Sequence, residues 1–188
     1  GSIDAADKVI IDNLTPKFTG GLNLGVSWKN LSLFGQFSFT YGGKIYNLDE
    51  QLLRSTELGY DDVMKNKPDY ILDRWTQENQ SSRYPRFVVG AHGAQNETGW
   101  NDRPSTLYLF DASFLKLNKL TLSYNLPQNW IQKLGMTSCS VYLSGENLFT
   151  LKNKKLNVPD PEAALTSGIA QKGVPSPRSF MIGLDLTF

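Results

Sequence analysis

Aromatic and amide side chains crowd one part of this chain. Tyr70, Trp75, Tyr84, Trp100 and Tyr108 fall in a stretch also rich in Asn, Gln and Gly. Such groups bind sugars, the rings by stacking on CH faces and the amides by hydrogen bonding to hydroxyls. Trp75, Tyr84, Trp100 and Tyr108 are therefore the candidate substrate-binding residues, with packing inside the loop as the competing use of each ring. Other chemistry is sparse. A single histidine, His92, and a single cysteine, Cys139, exclude an internal disulfide, a cysteine cluster and a multi-histidine metal site. No Ser/His/Asp set and no acid pair stands at a meaningful spacing, so nothing argues for an enzyme, a cofactor or a resident metal. Glu146 and Asp185 sit on strands, where a salt bridge to another part of the whole protein is their simplest use and contact with a solute the alternative.

The opening residues, Gly1-Ser-Ile-Asp-Ala-Ala-Asp7, have the pattern of the second half of a calcium loop: turn glycine, apolar residue, closing carboxylate. The oxygen ligands of a first half would lie upstream, and Asp4 and Asp7 alone cannot hold the ion. The same opening is acidic and polar rather than a secretory signal. An exported protein carrying this sequence would extend beyond it.

Charge is balanced over the 188 residues, with 19 Lys+Arg against 18 Asp+Glu and a formal net of +1. That supplies no electrostatic case for nucleic acid. Mean hydropathy is −0.33, and no run approaches the roughly eighteen apolar residues of a spanning helix. A membrane barrel is still compatible, because its strands alternate lipid-facing with lumen-facing residues and look soluble on average.

The elements that must position these groups are amphipathic strands. In Phe180–Phe188 the apolar residues Phe180, Ile182, Leu184, Leu186 and Phe188 alternate with Met181, Gly183, Asp185 and Thr187. That is period-two patterning running to an aromatic residue. Residues 17–28 and 31–41 alternate in the same way around a turn at Lys29-Asn30 and have the length of tilted membrane strands. Strands are also expected near 113–124, 140–151 and 178–188. Leu115 and Leu117 run out of phase with Leu120, Leu122 and Tyr124, so either a bulge lies near Asn118 or the upper part of the strand stands clear of a bilayer. Between the strands, short turns (Lys29-Asn30, Asn125–Gly135) alternate with long loops (42–110 and 152–177). Short helices are expected at Leu48–Ser55 and Asp61–Lys65, with irregular coil around Pro68, Pro85, Pro104 and Gly90–Gly99.

Alternating short and long connections between amphipathic strands is the plan of an outer-membrane barrel. The expected fold is all-β: an antiparallel transmembrane β-barrel segment of about five strands, occupying 1–188 as one unit. Phe18, Leu22, Leu24, Val26, Leu33, Phe37, Phe39, Ile182, Leu184 and Leu186 should face lipid. Asn23, Ser27, Gln36, Ser38, Ser144 and Thr187 should face the lumen, and the 42–110 loop should project outward. Two rivals stand beside this: a soluble β-sandwich that binds carbohydrate through its aromatic loop, and an outer-membrane barrel that does not transport.

Five stretches also carry a family likeness: Asn13–Gly21, Tyr41–Asn47, Phe114–Pro127, Val141–Thr150 and Pro177–Phe188. Taken together and in order, they resemble the C-terminal part of SusC/RagA-type TonB-linked outer-membrane transporters. The resemblance implies a 22-stranded barrel in the bacterial outer membrane, an N-terminal plug absent from this chain, and a SusD-like lipoprotein lid. It implies import of oligosaccharides or peptides, energised through TonB by the absent N-terminal part, with the remaining strands and plug as further partners. The terminal strand is similar to the signal read by the barrel-assembly machinery, with Phe180, Gly183, Leu186 and Phe188 in place and Met181 where a polar residue is more usual.

Overall fold

The computed structural model describes residues 5–11, 13–54, 57–58, 66–82, 84, 86, 88–89, 104–165, 167–171 and 173–188. Five long strands make one antiparallel sheet: β1 (Phe18–Trp28), β2 (Leu31–Tyr41), β7 (Phe114–Asn125), β8 (Ser138–Lys152) and β10 (Ser179–Thr187), in the order β1-β2-β7-β8-β10. Between them lie shorter elements: β3 (Lys44–Asn47), helix α1 (Leu48–Arg54), β4 (Glu57–Leu58), β5 (Val88–Val89) and β6 (Leu109–Asp111). Helix α2 (Gln128–Ile131) sits in the second short turn, and α3 (Pro161–Ala164) and β9 (Ile169–Ala170) in the second long connection. Sequence neighbours pair in hairpins, and the free backbone edges of β1 and β10 bound the sheet.

The alternation read in the sequence becomes two chemically different faces. Register pairs Leu22 with Phe37, Val26 with Leu33, Leu122 with Leu143 and Leu184 with Val141 on one face. Asn23 with Gln36, Thr121 with Ser144 and Asp185 with Ser140 share the other. The ladder slips between Leu117 and Lys119 against β8, and between Gln36 and Phe37 against β2. Asn118 is thus a bulge, and it brings Leu115 and Leu117 back to the apolar face opposite Phe39 and Phe37. Without that extra residue, a period of two would turn both leucines to the polar side.

Among the described residues no second layer covers the apolar face, on which Leu117 and Cys139 are the buried exceptions. Leu24 is 52 % exposed, Val26 67 %, Ile182 80 % and Leu184 63 %. A sandwich would bury these side chains against a second sheet, so the soluble sandwich is set aside. Soluble monomers rarely expose continuous apolar patches of more than a few hundred Å². Aromatics flank the band at both ends: Phe18 stacks on Tyr41 at 5.5 Å at the long-loop end, while Trp28 and Tyr124 lie exposed at the short-turn end. An eleven-residue strand such as β1 runs about 36 Å at 3.3 Å per residue. Tilted by about 40°, it spans about 28 Å, close to the apolar band of a membrane barrel. No helix among the described residues is long and apolar enough to cross a membrane; crossing by strands is a separate matter.

The buried core lies elsewhere. Ile45, Ala112, Leu156, Val158, Ala164 and Ala170 form it, with Phe110 and Leu165 packed against them. All of these residues come from the two long connections. β3 pairs antiparallel with β6 and parallel with β9, making a small three-stranded sheet. The turn into β3 depends on Gly43, at φ +76°, where a Cβ would meet Leu14 O at 2.8 Å. Two expectations change here. The 152–177 connection is not simply a polar loop, because it supplies four of the six core residues and Leu165 packed against them. The loop layer also does not just project outward. On the polar face of the sheet's long-loop half, Thr40, Phe114 and Lys116 are each at most 6 % exposed. Their apolar-face neighbours Phe39, Tyr41, Leu115 and Leu151 are exposed. The loops fold inward over the polar face because apolar side chains at 45, 112, 156 and 158 need burial and find it against one another there. The expected helix at Asp61–Lys65 and the Gly90–Gly99 coil lie outside the described residues.

Candidate functional site in the loop layer

Asn47 ends β3 and starts the helix that organises the first loop. Its Oδ1 accepts from the Glu50 N–H at 3.0 Å, a helix-start bond of the Asn-x-x-Glu type. Its Nδ2 donates to Asn157 O at 3.1 Å, tying this turn to the second loop. The Glu50 carboxylate is 3 % exposed yet fully partnered. Oε1 accepts from Arg54 Nε at 2.5 Å and from the Tyr70 hydroxyl at 3.0 Å, and Oε2 accepts from Asn157 Nδ2 at 3.3 Å. A buried charge is tolerable only when paired and hydrogen-bonded in this way.

Aromatic rings close over that ion pair. Tyr70 and Tyr84 stack at 5.3 Å with 23° between their planes. The Arg54 guanidinium lies 5.5 Å from one ring centre and 5.7 Å from the other, within cation–π range. Burial, then the Glu50 charge and hydrogen bond, push the Tyr70 phenol up to about 12, although Arg54 pulls the other way. Next to this cluster, the Trp75 N–H donates to Tyr84 O at 2.9 Å, and Trp75 is 37 % exposed.

A second polar cluster fixes the other loop to the wall. Lys116, on the polar face of β7, donates to Asp160 at 2.8 Å and to Glu162 at 2.9 Å. Asp160 also caps α3 by accepting from Glu162 N–H at 3.0 Å, and accepts from the Ser176 hydroxyl at 3.0 Å. Burial alone would push the Asp160 carboxyl up. The Lys116, Glu162 N–H and Ser176 bonds, with the Lys116 charge, outweigh it and hold the group below its ordinary value.

The candidate binding residues therefore part company. Trp75 and Tyr84 are neighbours at the surface of the first loop. Tyr108 is only 4 % exposed and packs edge-on against Tyr46 at 6.2 Å, a packing role in this arrangement. Trp100 lies outside the described residues. Of the terminal-strand residues, Phe180 and Leu186 stand exposed on the apolar face of β10, and Phe188 just beyond it is 81 % exposed. Gly183 is on the polar face under the Tyr142 ring, where an added Cβ would come within 2.3 Å of Tyr142 Cζ. Glu50, Arg54, Lys116 and Asp160 were not singled out in the sequence. Two signals were available: the Asn47-x-x-Glu50 spacing, and Asp160-Pro161-Glu162 as a cap, first-turn proline and first-turn acid.

Together these features define a class: a segment of an antiparallel outer-membrane-type barrel wall whose long loops fold into a layer over the wall's polar face. The comparisons with known proteins are more specific. The chain is 28 % identical over its whole length to the TonB-dependent receptor P3 of Formosa agariphila and spans 18 % of that receptor. It is 27 % identical to the TonB-dependent receptor SusC of Bacteroides thetaiotaomicron, again over the whole chain and 17 % of the receptor. Its fold superposes on the RagAB peptide importer in the closed-closed state with a TM-score of 0.80 and 30 % identity, covering 99 % of this chain and 19 % of that one. The open-open state gives 0.77. No protein-family model matches. The homologues of this chain are thus TonB-dependent receptors, and its sequence and fold agree with a C-terminal part of a SusC/RagA-type barrel. The chain spans less than a fifth of the length of the relatives it matches.

Proposed function

We propose that the chain is part of the wall and outer loop layer of a bacterial outer-membrane nutrient transporter driven through TonB. In this reading the transporter imports oligosaccharides or peptides together with a SusD-like surface lipoprotein. The observation that carries the reading is the uncovered apolar face, with Leu24, Val26, Ile182 and Leu184 exposed, in a chain similar along its full length to TonB-dependent receptors. Lipid covers that face, the polar face lines the lumen, and the free edges of β1 and β10 pair with further strands of the same barrel. Phe180, Gly183, Leu186 and Phe188 serve as the assembly signal.

The loop layer lies over the lumenal face, where an arriving solute passes. Trp75 and Tyr84 are the proposed contacts to solute or lipoprotein, since such side chains bury much area at low entropic cost. Deleting residues within 66–84 should leave the barrel assembled while weakening uptake or lipoprotein association. Co-purification of the lipoprotein and growth on the native solute read the outcome. Wild-type levels of both would remove the loop from the mechanism.

A further inference from the structure

We propose that Glu50 is a positioning residue: its buried carboxylate sets the place of the 66–84 loop segment, and with it Trp75 and Tyr84, relative to the barrel wall. The inference rests on the transporter reading for its functional meaning, but not for its geometry.

Three pieces of chain meet at this one side chain: α1 itself, the second loop at Asn157 and the first-loop segment at Tyr70. The helix α1 that carries Glu50 is fixed to β3 by the Asn47 cap at 3.0 Å. Asn157 of the second loop donates to Oε2, while Tyr70 and Arg54 donate to Oε1. β3 is in turn paired with β6, which leads into the wall strand β7 two residues later. A path of hydrogen bonds therefore runs from the wall through β6, β3 and α1 to Glu50, and from there to Tyr70.

Tyr70 passes the constraint onward. Its ring stacks on Tyr84, and the Tyr84 carbonyl accepts from the Trp75 N–H. Among the described residues its other tie to α1 is the Lys67 ammonium, which donates to Leu52 O at 3.0 Å on a flexible stem; Ile71 is its buried apolar residue, while Leu72 is 77 % exposed. Hydrophobic burial cannot fix so thin a segment. A shared carboxylate with directional bonds can, because a group with three donors converging on it accepts only one arrangement of them.

The charge matters as well as the shape. Arg54 lies between Glu50 and the two tyrosine rings. Replacing the carboxylate by a neutral amide turns one acceptor into a donor facing Asn157 Nδ2 and withdraws the counter-charge from a partly buried guanidinium.

The test uses the full-length protein in the outer membrane, with Glu50→Gln, Glu50→Ala and Asn157→Ala. All three should assemble at wild-type surface level, because the five-stranded wall is untouched. Trypsin cleavage after Arg74 on intact cells should rise by about tenfold or more in both Glu50 variants, since cleavage follows the population of the open loop. Asn157→Ala should give a smaller rise. In purified protein, difference absorbance at 295 nm should show one tyrosine moving from about 12 toward 10.0 in Glu50→Gln. Loss of the Glu50 charge moves that titration part of the way, and exposure of the ring, whose burial is the largest cause of the shift, moves it further. Unchanged cleavage or an unmoved tyrosine in Glu50→Gln overturns the proposal. Faster cleavage with normal uptake upholds Glu50 as the positioning residue and refutes the loop's part in transport.

Discussion

Lys116→Met tests whether the second loop is clamped to the wall by charge. Lys116 is 4 % exposed and binds two carboxylates of unequal standing. The Glu162 side chain is 44 % exposed, so its share is screened and worth about 0–1 kcal/mol. The Asp160 side chain is 10 % exposed, and stranding a buried charge typically costs about 3–5 kcal/mol. Asp160 keeps its bonds from Ser176 and the Glu162 N–H, which lowers the expected loss to about 2–3 kcal/mol. At 1.4 kcal/mol per decade, loop opening should become about 30- to 140-fold more frequent. Hydrogen exchange over residues 153–178, with trypsin cleavage after Lys154 or Lys155, reads it directly. Lys116→Met combined with Asp160→Asn should recover most of the protection, because no buried charge is left over. The pH dependence has a fixed sign. The folded Asp160 carboxyl is held below its ordinary value, so the clamp is complete above about pH 4 and is lost as pH falls through the lowered folded value. Wild-type protection in Lys116→Met at neutral pH, or a loop that tightens on acidification, would refute the clamp.

Three other perturbations probe the wall. Leu184→Arg should cost about 2–4 kcal/mol if the residue lies near the bilayer midplane, measured by urea unfolding in lipid vesicles; an unchanged midpoint contradicts lipid contact. Gly183→Ala drives a Cβ to 2.3 Å from the Tyr142 ring and should cost about 1–3 kcal/mol. In a Tyr142→Ala background the same change should cost little, so equal costs in both backgrounds would deny the ring-on-glycine fit. Removing Phe188, or the strand from Phe180, should abolish surface exposure of the parent protein, and surface proteolysis of cells at wild-type level would refute that.

How much of this was readable in advance depends on where the information lies. In β1, β2, β10 and the lower half of β7, neighbouring residues carry opposite polarity. A local period of two reveals both the strand and its two faces. The bulge at Asn118 was one of two readings of the phase slip in the alternating pattern, and the register decides for it. The loop core was not legible. Ile45, Ala112, Leu156 and Ala164 are scattered over segments without periodicity, and they meet only because β3 pairs with both β6 and β9. Lys116 looked like any polar-face lysine until Asp160 and Glu162 arrived from a distant segment. Trp75, Tyr84 and Tyr108 are alike as sequence candidates, and only packing separates the buried Tyr108 from the other two.

The central claim is that one face of the five-stranded sheet meets lipid. Single cysteines at Leu24 and Leu184, and at Ser27 and Gln36 on the opposite face, can be spin-labelled in the full-length protein after replacing Cys139, and reconstituted in bilayers. The account predicts that labels at 24 and 184 are relaxed by oxygen and shielded from a water-soluble nickel complex, with the reverse at 27 and 36. Labels at 24 and 184 that respond to the nickel complex as strongly as those at 27 and 36 would contradict it.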